Sequence, residues 1–208
     1  WPVDAWEDFY AGIADEADID RVVIGELVCS KRLPFYAERI LPVVERLLRA
    51  GKAVALCSLA LVTTERERRL AAGLWDVDEI EVEVNDLTLL ATIPARTGFA
   101  VGPLVNVYNE ATLGYLARRG ARRVCLPPEL PIESVEILAG AAKADGVDTE
   151  VWSFGRVPLA ISGRCYHARI HGLTKDSCQF VCERDTNGLP VQTLDRQAQI
   201  APLFRVEG

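Results

Sequence analysis

Short solid runs of apolar residues alternate along this chain with longer segments whose apolar positions recur every three or four residues. The first kind reads as buried strand and the second as amphipathic helix. Strands are expected at 21–28, 53–61, 79–84, 99–107, 122–126 and 149–154. Helices are expected at 2–16, where Trp6, Phe9, Tyr10 and Ile13 share a face, and at 34–50, where Ile40, Val43, Val44, Leu47 and Leu48 do. Further helices are expected at 65–73, 109–120 and 128–146, with a helix-like stretch at 87–96. Gly51 and Gly120 stand where a helix would stop; Thr63 or Thr64 and Asn109 stand where one would start.

Strand followed by helix, about five times at a spacing of roughly thirty residues, predicts βα units and a mainly parallel sheet. Strands that read as solid apolar runs are of the kind buried on both faces. The fold expected is therefore α/β, a TIM-barrel-like (β/α) barrel, incomplete, as one domain over 1–208. An open doubly wound sheet is the alternative, and no Gly-x-Gly-x-x-Gly follows any strand to favour it. The chain opens at Trp1, contains no Met, and ends in an apolar run, so it reads as an excerpt of a longer protein. After Gly155 the alternation stops, and 155–195 is irregular and rich in Cys and His. So long an irregular stretch inside a compact domain needs something to pin it, and metal ligation is one such thing.

Half of the 208 residues are hydrophobic and a quarter are charged, the profile of a soluble globular protein. A net charge of −7 gives no long-range attraction for a polyanion, and nucleic acid is not expected as a partner. The nearest thing to a basic patch, Arg118, Arg119, Arg122 and Arg123, surrounds one helix-to-strand turn. No apolar run approaches the length of a transmembrane helix and no signal peptide opens the chain, so a cytoplasmic location is expected.

In a reducing compartment, clustered cysteines bind metal or react rather than pair. Cys165, Cys178 and Cys182 form a C-x12-C-x3-C set, with both histidines, His167 and His171, nearby. Cys57 and Cys125 lie inside apolar strands and read as small core residues. Cys29 differs, because it follows a strand at the end that carries chemistry in a barrel. That makes it the candidate fourth ligand. The spacing leaves zinc, an iron–sulfur cluster and redox-active thiols all open.

Residues 150–165 carry a resemblance. Glu150-Val151, Gly155, Ser162-Gly163 and Cys165 match a signature of the collagenase-like peptidase family of unknown catalytic type, with Pro158 where the signature has its first cysteine. One branch of that family is similar in having Pro there and in taking a compensating cysteine from an upstream motif, present here as Val28-Cys29-Ser30-Lys31-Arg32. Further matches are Gly51–Val62, Asn85-Asp86-Leu87, 106–109, 127–130, and Lys175-Asp176 with Cys178 and Cys182, followed by Asn187-Gly188. The resemblance implies a 4Fe–4S cluster on Cys29, Cys165, Cys178 and Cys182, for electron transfer or structural support; the spacing alone keeps zinc as the alternative, in a binding module whose metal only fastens 155–195. The resemblance also implies a heterodimer with a same-family partner, in oxygen-independent ring hydroxylation during anaerobic ubiquinone biosynthesis; some relatives hydroxylate RNA bases or are classed as peptidases. Against the family's length, the chain is read as lacking the first strand and the C-terminal part.

Polar residues at the predicted strand ends, Glu26, Ser58, Asn85, Asp86, Asn106, Asn109 and Glu129, are the candidate lining of a small pocket, with helix capping as the competing role for Asn85, Asp86 and Asn109. Peptidase chemistry is not expected. There is no Gly-x-Ser-x-Gly elbow and no His-Glu-x-x-His, and both histidines sit beside the thiols.

Overall fold

The computed structural model describes residues 1–77, 80–155, 161, 163–185, 192–194 and 200–202. Pro158, Ser162, Asn187 and Gly188 lie outside the described residues. The chain divides into two compact units, Pro2–Val157, and Trp1 with Pro158–Gly208.

The first unit is built from repeated βα pairs. Its helices are α1 (Val3–Asp15), α2 (Ala37–Arg49), α3 (Glu65–Ala72), α4 (Glu110–Arg118) and α5 (Ile132–Ala144). Its strands are β1 (Arg21–Gly25), β2 (Ala53–Cys57), β3 (Glu81–Val84), β4 (Phe99–Val101), β5 (Ala121–Leu126) and β6 (Asp148–Val151). All six pair in parallel and in chain order, β1 to β6, and curl into a half-barrel. The α/β, incomplete TIM-barrel-like fold is thus what the alternation predicts.

One strand face packs under the helices. Val22, Ile24, Val54 and Leu56 join α1 and α2 in one core, with Trp6, Tyr10, Ile13 and Ile40 against it. Val82, Val84, Phe99, Val101, Val124 and Leu126 form the larger core with Leu113, Leu116, Leu138 and Ala142 of α4 and α5. Of the residues assigned to apolar helix faces, Phe9 and Leu48 remain about half exposed.

The opposite, concave face is charged, which departs from strands apolar on both faces. Arg21 of β1 binds Glu81 of β3 at 2.6 Å and Glu150 of β6 at 3.0 Å. Arg123 of β5 binds the same two carboxylates at 3.0 and 3.3 Å, and Asp148 at 3.4 Å. Since β1 and β6 are the two edges of the sheet, a side-chain bond between them requires the sheet to curl until its edges face one another.

Several elements are shorter than the pattern predicts. The strand expected over 99–107 ends at Val101, because Pro103 lacks the N–H a ladder needs and opens a 3-10 turn, Pro103–Val105. The stretch 87–96 forms only a 3-10 turn, Leu87–Ala91, with Pro94 blocking further helix. At Gly51 the expected stop is a left-handed residue (φ +79), with Lys52 N–H bonded to Leu47 C=O and Gly51 N–H to Leu48 C=O.

In the second unit, α6 (Tyr166–Ile170) starts directly after Cys165, and a 3-10 turn covers Val181–Asp185. Strands β7 (Gln192–Leu194) and β8 (Ile200–Pro202) pair antiparallel.

Candidate functional site

Cys29 sits on the loop that leaves the C-terminal end of β1. Gly25, the last residue of that strand, has φ +145, and a Cβ there would lie 2.9 Å from both the carbonyl oxygen and the sulfur of Cys57. Only glycine lets the chain pass so close over β2. Glu26 then folds the loop onto itself. Its Oε1 accepts from Val28 N–H and Cys29 N–H, each at 2.8 Å, and from the Arg32 guanidinium at 2.7 Å. Ser30 Oγ donates at 2.6 Å to Glu67 of α3, which ties the loop to a second element. Among the residues expected to line a pocket, Glu26 is therefore occupied in shaping the Cys29 loop.

Glu67 is the N3 residue of a capping box whose N-cap is Thr64. Burial opposes its ionisation, but donation from Ser30, from the Thr63 N–H and hydroxyl, and from the Thr64 N–H outweighs burial and holds the carboxyl at about 2.

The other three candidate ligands belong to the second unit. The carbonyl of Cys165 accepts the Arg169 N–H as α6 begins, and Ala168 of that helix is buried. Between Cys178 and Cys182 the backbone turns sharply. Gln179 and Phe180 take φ +47 and +53, and Val181 N–H returns to the Cys178 carbonyl at 3.1 Å. Two successive left-handed non-glycine residues closed by such a bond have the form of a type I′ turn, a conformation that costs energy without Gly, Asn or Asp. His167 lies within α6 and His171 caps its end.

All six cysteines are half-buried. Cys57 and Cys125 are strand residues whose ionisation is suppressed. Burial pushes the Cys57 thiol up to about 12, with Glu83 and Glu26 adding to the shift. The Cys125 thiol is likewise pushed up to about 12 by burial, with Glu83 and Glu150 adding and Arg21 opposing. Both stay protonated at neutral pH and are poor ligands or nucleophiles. They are half-buried on the concave face, whereas the strand pattern alone reads them as core residues.

The concave face carries a second polar group. Glu83, Ser58 and Asn85 are all buried. Asn85 donates from Nδ2 to Glu83 at 2.9 Å, and its N–H donates to Ser58 Oγ at 2.8 Å. Asn85 Oδ1 is buried without a hydrogen-bond partner among the described residues. Gly102 makes room for it, since a Cβ there would fall 2.0 Å from that oxygen. Burial raises the Glu83 carboxyl above its usual range; Asn85 and Arg21 oppose the shift while Glu150 and Glu81 add to it.

The remaining pocket candidates have local roles. Asp86 caps the turn Leu87–Ala91 through Thr88 N–H at 2.8 Å and accepts Val62 N–H at 2.9 Å. Asn109 caps α4 through Thr112 N–H at 2.9 Å. Asn106 is exposed in the left-handed region at φ +62 and ends the turn Pro103–Val105. Glu129 is exposed and accepts from the Tyr108 hydroxyl, a bond that raises the phenol's pKa. Of the arginines around the turn after α4, Arg123 faces inward onto carboxylates and Arg119 donates to the Leu90 carbonyl.

Among the described residues, no three or more His, Cys, Asp or Glu side chains stand together as a finished metal site. Within its own unit each candidate is a half-buried soft sulfur donor, Cys29 on a braced loop, and Cys178 and Cys182 on either side of a left-handed turn, and soft sulfur is the donor type that zinc and iron–sulfur groups take. The inward carboxylates and the clamp on Cys29 escaped the linear reading. Their signals were the alternation Glu81-Val82-Glu83-Val84 and the Thr64-x-x-Glu67 spacing.

A family model described as Peptidase family U32 matches residues 5–197, nearly the whole chain. No solved structure matches it. No described helix is long and apolar enough to cross a membrane.

Proposed function

The chain belongs to peptidase family U32, and from that premise we propose that it holds a 4Fe–4S cluster on Cys29, Cys165, Cys178 and Cys182. In this reading it acts in the manner of the family's UbiV branch, as one half of a heterodimer with a UbiU-like partner. The pair supports oxygen-independent hydroxylation of an aromatic ring in anaerobic ubiquinone biosynthesis.

The observation that carries the reading is the division among the cysteines. Cys57 and Cys125 are held as thiols by burial beside carboxylates. Cys29 stands instead on a loop braced by Glu26 and Glu67, and Cys178 and Cys182 bracket a left-handed turn that costs energy to maintain. A bound cluster supplies single electrons, and with four thiolates no iron is left open for substrate. The chain's own part is to present the sulfurs, keep Cys29 fixed through its N–H bond to Glu26, and shield the ligands by half-burying them. Peptidase chemistry finds no support in either histidine, since both belong to the α6 segment beside the thiols.

Anaerobic purification with iron and acid-labile sulfide counted per chain tests the proposal, with about four of each expected. Cys29→Ala should abolish the visible absorbance, and Cys125→Ala should keep it. Zinc without sulfide would overturn the cluster, and ring hydroxylation that persists in the cluster-free Cys29→Ala protein would overturn its role.

A further inference from the structure

Two opposite charges meet beside Cys29, at the carboxylate that takes its N–H. Glu26 Oε1 lies 2.8 Å from the Cys29 nitrogen, 2.8 Å from the Val28 nitrogen and 2.7 Å from the Arg32 guanidinium. The Glu26 side chain is 12% exposed, so solvent screens its charge poorly, while that of Arg32 is 40% exposed. Two consequences follow for the sulfur of the same residue. Backbone N–H groups around a cluster ligand ordinarily donate to sulfur and so favour the reduced, more negative state; here two of them are given to a carboxylate. The carboxylate also places a negative charge within one turn of the ligand. Both effects disfavour adding an electron, because potential depends on hydrogen bonds to sulfur and on net charge. Arg32 acts in the opposite sense, as a cation on the same carboxylate.

We propose that Glu26 and Arg32 form an opposed pair that positions Cys29 and sets the reduction potential of the group it ligates, Glu26 lowering it and Arg32 raising it. This rests on the reading that Cys29 is a cluster ligand. The Ser30–Glu67 bond ties the same loop to α3 without involving either charge.

The test is an EPR-monitored redox titration of the full chain, loaded anaerobically with iron and sulfide. Glu26→Gln keeps the side chain's shape and removes its charge, so the midpoint potential of the chains that carry iron and sulfide should move up. Arg32→Gln leaves the Glu26 charge uncompensated, so the potential should move down. A merely structural role would move both variants in one direction or neither, and either result overturns the proposal. If Glu26→Gln takes up no cluster, Arg32→Gln decides alone: a downward shift supports the pair, and no shift or an upward one refutes it. Wild-type protein that takes up no iron and sulfide refutes the cluster reading itself, and the pair's proposed role with it. A loaded wild type whose variants keep its potential refutes only the pair.

Discussion

Glu83 shows how a single side chain takes its chemistry from its surroundings. It is 6% exposed, and burial with two neighbouring carboxylates raises its pKa while Asn85 and Arg21 oppose the rise. Its folded pKa is raised, so the stability it contributes is full below the unfolded glutamate value, about 4.3. That contribution is lost as pH rises through the folded value. Glu83→Gln cannot ionise. The variant should match wild type near pH 4 and become the more stable of the two as pH rises to 8, read as urea midpoints across that range. Parallel pH profiles would contradict the assignment. In one dimension Glu83 is simply the third residue of Glu-Val-Glu-Val; the alternation marks it as facing away from the helices, but not as buried.

At the scale of elements, α3 and the Cys29 loop share one carboxylate. Thr64 Oγ1 accepts the Glu67 N–H at 3.2 Å, and Glu67 answers with bonds from Thr63 and Thr64 and, 37 residues away, from Ser30. With its carboxyl at about 2, Glu67 contributes stability that is present above the unfolded glutamate pKa and lost as pH falls through about 2. Glu67→Gln should cost about 1–3 kcal/mol at pH 7, since an amide offers one acceptor oxygen where the carboxylate offered two. The gap from wild type should narrow as pH falls below 4, which chemical denaturation at several pH values would reveal. The capping half of this arrangement was legible as Thr64-x-x-Glu67. The Ser30 half was not, because it needs β1 and β2 side by side with β1's following loop turned back toward α3.

For the half-barrel as a whole, the inward ion network matters most. Arg21 is the residue that joins first strand to last, with its side chain only 14% exposed. Arg21→Met should cost about 1–3 kcal/mol, less than the 3–5 kcal/mol of a fully stranded buried pair. The reason is that Glu81 and Glu150 both keep Arg123. Denaturant titration gives the value directly, and a neutral effect would mean that the edges hold without it. The network also explains why the arginines after α4, which look like a basic patch in the sequence, offer none on Arg123: its charge is spent inside the curl.

The sequence by itself determined whatever depends on neighbours along the chain. The order of strands and helices, the helix stops and caps at Gly51, Thr64 and Asn109, and the division of cysteines between strands and loops all follow from local pattern. Only the tertiary structure decided what faces what. The Arg21 contacts reach across 60 and 129 residues, and they turn strands read as wholly apolar into a sheet with one oily and one charged face. The clamp on Cys29 has a local half, Glu26 with Arg32, and a distant half, Ser30 with Glu67. Spacing shows that a residue could be near another. Curling a sheet decides which charges must meet, because a buried carboxylate without a partner costs too much to keep.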